Sequence, residues 1–100
     1  MAKVNVRIPP HVAVMLNAGS SGWLVIQEEL KGRMTVSDLL FSLVLTYPGF
    51  RETVYNPDVG VVNEQIGIIL NDKLLAFEEI SRTMLKENDS ITILPLYYGG

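Results

Sequence analysis

Thr35-Val36-Ser37-Asp38-Leu39-Leu40-Phe41-Ser42-Leu43-Val44-Leu45-Thr46-Tyr47-Pro48-Gly49 is the stretch on which the fold turns. Val36, Leu39, Leu40, Leu43, Val44 and Tyr47 recur at i, i+3, i+4, i+7, i+8 and i+11, one stripe of a 3.6-residue helix. Thr35 and Asp38 make a capping box, in which the hydroxyl accepts from the backbone three residues on and the carboxylate reaches back. Asp in place of Glu makes it a shorter version. Pro48-Gly49 stops the helix. A membrane-surface helix would need a strongly basic opposite face, which this stretch lacks. It reads as a core helix.

Strands flank it. Val4, Val6 and Ile8 alternate with Lys3, Asn5 and Arg7, the period-two signature of a strand with one buried face. Pro9-Pro10 ends that strand. A loop is expected next, turning at Gly19-Ser20-Ser21-Gly22, and then a second strand from Trp23 to Leu30 as a hairpin partner. After the helix, Pro48 to Gln65 shows little pattern beyond a short turn through Arg51 to Tyr55. A wholly irregular stretch of that length is unusual in a small domain, so local structure is expected there. Gly67-Ile68-Ile69-Leu70 reads as a buried strand closed by Asn71-Asp72, and Leu74-Leu75 as the start of a short edge strand. Glu87-Asn88-Asp89 is a turn before a last strand, Ser90 to Leu96. Two strands, a crossing helix and further strands describe an α+β fold, a mixed sheet with one main helix on one face. A right-handed crossover lays the first and last strands side by side in the centre. This is the β-grasp arrangement, the ubiquitin-like roll.

Composition narrows the chemistry. One hundred residues with 48% hydrophobic and 19% charged side chains make a single domain, 1–100. With no cysteine and one histidine, disulfide frameworks, thiolate zinc sites, iron–sulfur clusters and cysteine nucleophiles are excluded. A net charge of −3 has the wrong sign for nucleic acid. Charges at Lys3 and Arg7 interrupt any signal-peptide run, and Leu39 to Leu45 falls far short of the ~20 apolar residues that span a bilayer. A cytoplasmic protein with neither a nucleic-acid nor a membrane partner is expected.

The sequence ends Leu94-Pro95-Leu96-Tyr97-Tyr98-Gly99-Gly100. With glycine at ~7% of residues, a closing pair arises by chance in about 0.5% of chains. One reading is a frayed terminus. The other makes the terminal carboxylate the working group, since glycine lacks a Cβ and its backbone can thread a narrow tunnel. The stretch 96–100, extended, reaches roughly 17 Å at ~3.4 Å per residue, enough to enter a partner's active site. The ending alone leaves both readings open.

Leu85-Lys86-Glu87-Asn88-Asp89-Ser90-Ile91-Thr92-Ile93-Leu94-Pro95, followed by Gly99-Gly100, resembles the closing signature of the MoaD/ThiS sulfur carriers. Thr35-Val36-Ser37-Asp38-Leu39-Leu40 is similar to that family's helix start. Tyr47-Pro48-Gly49-Phe50-Arg51-Glu52 is similar to the stretch after the helix in its longer members. Ile68-Ile69-Leu70-Asn71-Asp72 falls where the family carries a strand ending in an asparagine turn. Each motif is weak alone, but four in the correct order are fairly specific. There are two departures. Asn88 stands where glycine is common, although asparagine tolerates the left-handed conformation. Tyr97-Tyr98 are bulkier than the small residues many members carry before the glycines.

The resemblance implies a carrier and co-substrate rather than an enzyme. In the family a ubiquitin-activating-type adenylyltransferase joins the terminal glycine, here Gly100, to AMP using ATP and magnesium. Sulfur from a persulfide or related donor enzyme then displaces AMP and leaves a thiocarboxylate. That sulfur goes to an accepting synthase in molybdopterin or tungsten cofactor, thiamine or cysteine biosynthesis. Leu96, Tyr97, Tyr98 and Gly99 would thread into the partner's active site. The carrier itself binds no cofactor and no metal. Docking is expected on the sheet face near the last strand, with Leu94 as the candidate. Leu94 and Leu96 lie opposite the side of Ile91 and Ile93, one of the two sets faces outward, and an apolar patch there suits a partner. The alternation alone leaves open which set is buried.

Other candidates are weaker. His11 has no cysteine or carboxylate pair beside it and reads as a loop residue. Glu28-Glu29 and Glu78-Glu79, read as strand neighbours, would point to opposite faces. Gly19-Ser20-Ser21-Gly22 lacks the lysine of a phosphate loop. Trp23 and Phe77 read as core or rim packing, because no basic groove accompanies them. Two rival functions stand: a ubiquitin-like modifier conjugated through Gly100, and a β-grasp binding module with an inert tail.

Overall fold

The computed structural model describes residues 2–16 and 22–96. The turn expected at Gly19-Ser20-Ser21 and the residues Tyr97, Tyr98, Gly99 and Gly100 lie outside them. Strand β1 (Lys3–Ile8) pairs antiparallel with β2 (Leu24–Glu29), Val6 opposite Ile26. Val4, Val6 and Ile8 are fully buried while Lys3 and Arg7 face solvent, as the alternation requires.

Between the two strands the structure departs from the expected loop. Helix α1 (Pro10–Met15) begins directly after β1, with Pro9 extended at the N-cap and Pro10 in the first turn. A proline at that position loses nothing, because the N–H it lacks would have no partner within the helix and its ring sets a helical φ. Pro9-Pro10 therefore stops a strand and starts a helix at once. Val12, Ala13 and Leu16 are buried by it. His11, expected in a loop, lies in this helix.

Helix α2 (Val36–Thr46) carries both halves of the capping box: the Asp38 N–H donates to Thr35 Oγ1 at 3.1 Å, and the Thr35 N–H to Asp38 Oδ2 at 3.0 Å. The other first-turn donors are also used. Val36 N–H reaches the Thr83 carbonyl and Ser37 N–H the Ile80 carbonyl, each at 3.0 Å. The N-terminus of α2 is thus bonded to the segment that leads into the last strand. Val36, Leu39, Leu40 and Leu43 are fully buried against Val4, Val6, Ile8, Ile91 and Ile93. Tyr47, the end of the stripe, is half-buried.

The poorly patterned stretch holds α3 (Phe50–Thr53) and a small hairpin of β3 (Tyr55–Asn56) and β4 (Val61–Val62). Fully buried Phe50 anchors α3, the Tyr55 hydroxyl meets Ser37 Oγ at 2.8 Å, and Arg51 pairs with Asp58. Strand β5 (Ile66–Leu70) turns at Asn71 into the short β6 (Lys73–Leu74), followed by a 3-10 turn at Phe77–Glu79 and by β7 (Ser90–Pro95). Asn71 and Asn88 both have positive φ, 55° and 69°, which asparagine accepts more readily than other side chains. Asn71 also bonds both ways to the start of β7, its Oδ1 accepting from Ser90 N–H and its Nδ2 donating to Asp89.

The main sheet runs β2-β1-β7-β5-β6, with β1 and β7 parallel in the centre, Val6 beside Ile91 and Arg7 beside Thr92. This is the β-grasp order expected from the sequence. Replacing Thr35 by Ala removes one half of the cap and should cost about 1 kcal/mol. Urea unfolding should show a lower midpoint with unchanged slope; an unchanged midpoint would mean that the box does not hold the helix start.

Candidate functional site

The site is built where β7 runs out. Ile91 and Ile93 point into the core and are fully buried, so Thr92 and Leu94 face the side of the sheet away from that core. The alternation could not say which set was buried; the register decides it. On this open face Leu94 lies opposite Gly67, and Thr92 opposite Ile69, which in turn faces Leu74. Across β1 and β2 the same face becomes mostly polar, with Lys3, Asn5, Arg7, Gln27 and Glu29 around an exposed Val25. Arg7 lies over the ring of Trp23, 5.3 Å from its centre, so Trp23 sits at the sheet rim and outside the core. Glu28 and Glu29 fall on opposite faces of β2.

Pro95 closes β7 at a position that tolerates it. It stands opposite Ile66, and the adjoining bond runs from Leu96 N–H to the Gln65 carbonyl at 2.6 Å. Pro95 is therefore in a non-hydrogen-bonded pair with β5, and its missing donor faces the β1 side. There the β1 pairing has already ended, at Arg7 beside Thr92. No ladder bond is lost. Leu96, expected as the first residue of the tail, is bonded to the sheet by that 2.6 Å contact. Its side chain lies over Gly67 beside that of Leu74. Together with Phe77 and Val61 they border a groove of about 330 Å³.

Phe77 is 63% exposed, on the 3-10 turn and outside the core. The expectation for Glu78-Glu79 as strand neighbours is corrected by the same turn: the pair is helical. Glu79 accepts from the Ala76 N–H and from Lys73 Nζ, each at 2.8 Å. These bonds tie β6 to the turn and so hold Leu74 and Phe77 at the groove. Gln65, Gly67 and Leu74 escaped the reading of the sequence because their importance depends on cross-strand register. A glycine inside an Ile-rich strand was the available signal. Among the described residues, no three His, Cys, Asp or Glu side chains cluster to hold a metal, and no helix is long and apolar enough to cross a membrane.

The model of the ThiS family matches residues 22–100, from just before β2 through Gly99-Gly100. The chain belongs to the ThiS family. Its fold is the ubiquitin-like β-grasp, the sulfur-carrier fold of that family. In structure it is similar to SAMP1 from Haloferax volcanii, at 22% identity and a TM-score of 0.74, covering 98% of this chain and 99% of that one. It is similar to a chain of the BexX/CysO complex of Amycolatopsis orientalis, at 23% identity and TM-score 0.69, covering 97% and 99%. A chain described as subunit 1 of a molybdopterin converting factor from Pyrococcus furiosus shares 18% identity at TM-score 0.69, covering 97% and 100%. No curated protein sequence matches the chain.

The Lys73 ammonium bonded to it, and next the Ala76 N–H, hold the Glu79 carboxyl below its ordinary value of 4.5. A depressed carboxyl stabilises the fold above its unfolded pKa, and that contribution is lost as pH falls through the folded one. Wild type should therefore exceed Glu79→Gln in thermal stability at neutral pH, with the gap closing as the pH falls from the ordinary value of 4.5 through the lowered folded one. A gap independent of pH would contradict this role of the carboxylate.

Proposed function

We propose that the protein is a sulfur carrier whose working atoms are those of the Gly100 carboxylate. The family match that runs through Gly99-Gly100 carries this reading. The anchoring of Leu96 at the end of β7 supports it, because four residues, ending in Gly100, follow that anchor. Extended, they reach at most about 14 Å beyond the sheet. That suits delivery of a carboxylate into a cleft while the folded body stays outside.

A free carboxylate is a poor electrophile: its charge repels nucleophiles and oxide is a bad leaving group. An adenylyltransferase of the ubiquitin-activating type, using ATP and magnesium, would let the carboxylate attack the α-phosphate and expel pyrophosphate. The acyl adenylate then loses AMP to an incoming sulfur. A persulfide donor forms an acyl disulfide, which a thiol cleaves to leave the thiocarboxylate. The charged sulfur is the nucleophile that an accepting synthase consumes, returning Gly100 as a carboxylate. The chain is a co-substrate in this cycle, working in the cytoplasm where ATP is supplied, and Tyr97, Tyr98 and Gly99 thread the partner's tunnel. The BexX/CysO complex supports a partner enzyme, and the molybdopterin converting factor supports cofactor synthesis as one destination for the sulfur. The likeness to SAMP1, a small archaeal modifier protein, favours a second use of the same adenylate, conjugation of Gly100 to a lysine.

Removal of Gly99-Gly100 should leave the unfolding transition unchanged and abolish ATP–pyrophosphate exchange with the activating enzyme of the same cell. Exchange that survives the deletion would contradict the reading. Leu94→Asp puts a charge on the apolar part of the open face, and should raise KM for that enzyme by roughly tenfold or more, measured at a temperature at which the variant is fully folded. An unchanged KM would move docking elsewhere.

A further inference from the structure

We propose that Gly67 is a positioning residue for the tail: the space left by its absent Cβ receives Leu96, and so sets the direction in which residues 97–100 leave the sheet. The inference rests on the carrier reading and concerns how the chain presents its reactive end.

A Cβ at position 67 would lie 3.0 Å from Leu96 Cδ2, 3.4 Å from Leu96 Cγ and 3.1 Å from Leu74 Cδ1. Carbon pairs are comfortable at ~3.5–4.0 Å, so the two leucines occupy room that any other residue would take. Backbone freedom does not explain the glycine. Gly67 is not among the residues of positive φ, and its neighbours Ile66, Ile68 and Ile69 show what a strand at this depth prefers. Gly67 is also buried, with the side chains of Leu96 and Leu74 over the space its Cβ would take.

Leu96 is therefore held at two points, its N–H by the Gln65 carbonyl at 2.6 Å and its side chain by the notch over Gly67. Two points fix the orientation of a residue where one would leave it free to swing. Leu74 forms the far wall of the notch, and the Lys73–Glu79 contact at 2.8 Å holds the strand that bears it. The atoms that a new Cβ would meet all belong to side chains, and the two nearest are methyl tips. A larger residue would be relieved by moving Leu96 and Leu74 and not by opening β5, so the fold should survive while the exit direction changes.

The test uses the full chain with its activating enzyme, comparing wild type, Gly67→Ala and Gly67→Val, each also in a Leu96→Ala background. Both glycine variants should remain folded, their gain in strand preference set against the displacement of Leu96 and Leu74. Adenylation kcat should fall several-fold for Ala and roughly tenfold or more for Val, as misplacing a reacting group does. KM should change by a smaller factor than kcat, because Leu94 itself is left in place on the docking face. In the Leu96→Ala background, adding Gly67→Ala should change kcat by less than about twofold, the non-additivity expected of residues in contact. A nuclear Overhauser contact between the Leu96 methyls and Gly67 Hα should be present in wild type. Its absence overturns the proposal, as does an unchanged kcat in Gly67→Val, an equal loss in both backgrounds, or a loss that tracks lowered stability. A wild-type chain that no activating enzyme adenylates overturns the carrier reading and this proposal together. An adenylated wild type with an equally fast Val variant overturns this proposal alone.

Discussion

The parallel pairing of β1 with β7, Val6 beside Ile91 and Arg7 beside Thr92, constrains everything else in the molecule. Parallel neighbours cannot be joined by a tight turn, so the chain between them must cross over, and α2 makes that crossing against the buried side of both strands. Because the two strands run the same way, β1 gives out into Pro9-Pro10 at the same end of the sheet at which β7 reaches Pro95. Beyond that level β7 has β5 as its neighbour and no longer β1. The last strand therefore ends bonded on the β5 side, through Leu96 and Gln65, beyond its pairing with β1.

The termination is built from several weak contacts acting on one short segment. Pro95 fills a position that needs no donor, the Leu96 N–H makes the last bond to Gln65, and Gly67 leaves space for the Leu96 side chain. Glu79 and Lys73 steady the edge strand that forms the other wall of that space. In the proposed function these groups act by position and not by acid–base chemistry. They place one end of a chain, and the proposed chemistry belongs to enzymes that act on that end. The absence of cysteine from the sequence is consistent with this division, since a sulfur held on a backbone carboxylate needs no thiol of its own.

How much of this could be read from residues depended on how local the cause was. The helix at Thr35 was legible because cap, stripe and stop all lie within fifteen consecutive residues, and the structure shows each of them. The strands around Val4, Ile68 and Ile91 were legible from alternation or apolar runs. Helix α1 was not, because Pro9-Pro10 carries two meanings and its stop signal for the strand hid its start signal for a helix. The β3–β4 hairpin was too short for a period to show, and it depends on Phe50 and Tyr55 packing on α2. Leu94 could be named as an open-face residue, yet which face of β7 was buried required the register with β1 and β5. The notch at Gly67 required that register and the position of Leu96 as well.

The central claim is that Gly100 carries sulfur. Mass spectrometry of the intact protein, purified from its own cells without reductive or alkaline treatment, tests it most directly. The account predicts a population in which one oxygen of the closing carboxylate is replaced by sulfur, and fragmentation that places the change on Gly100. A protein found only as the free carboxylate, or linked through Gly100 to lysines with no sulfur-bearing form, would contradict it.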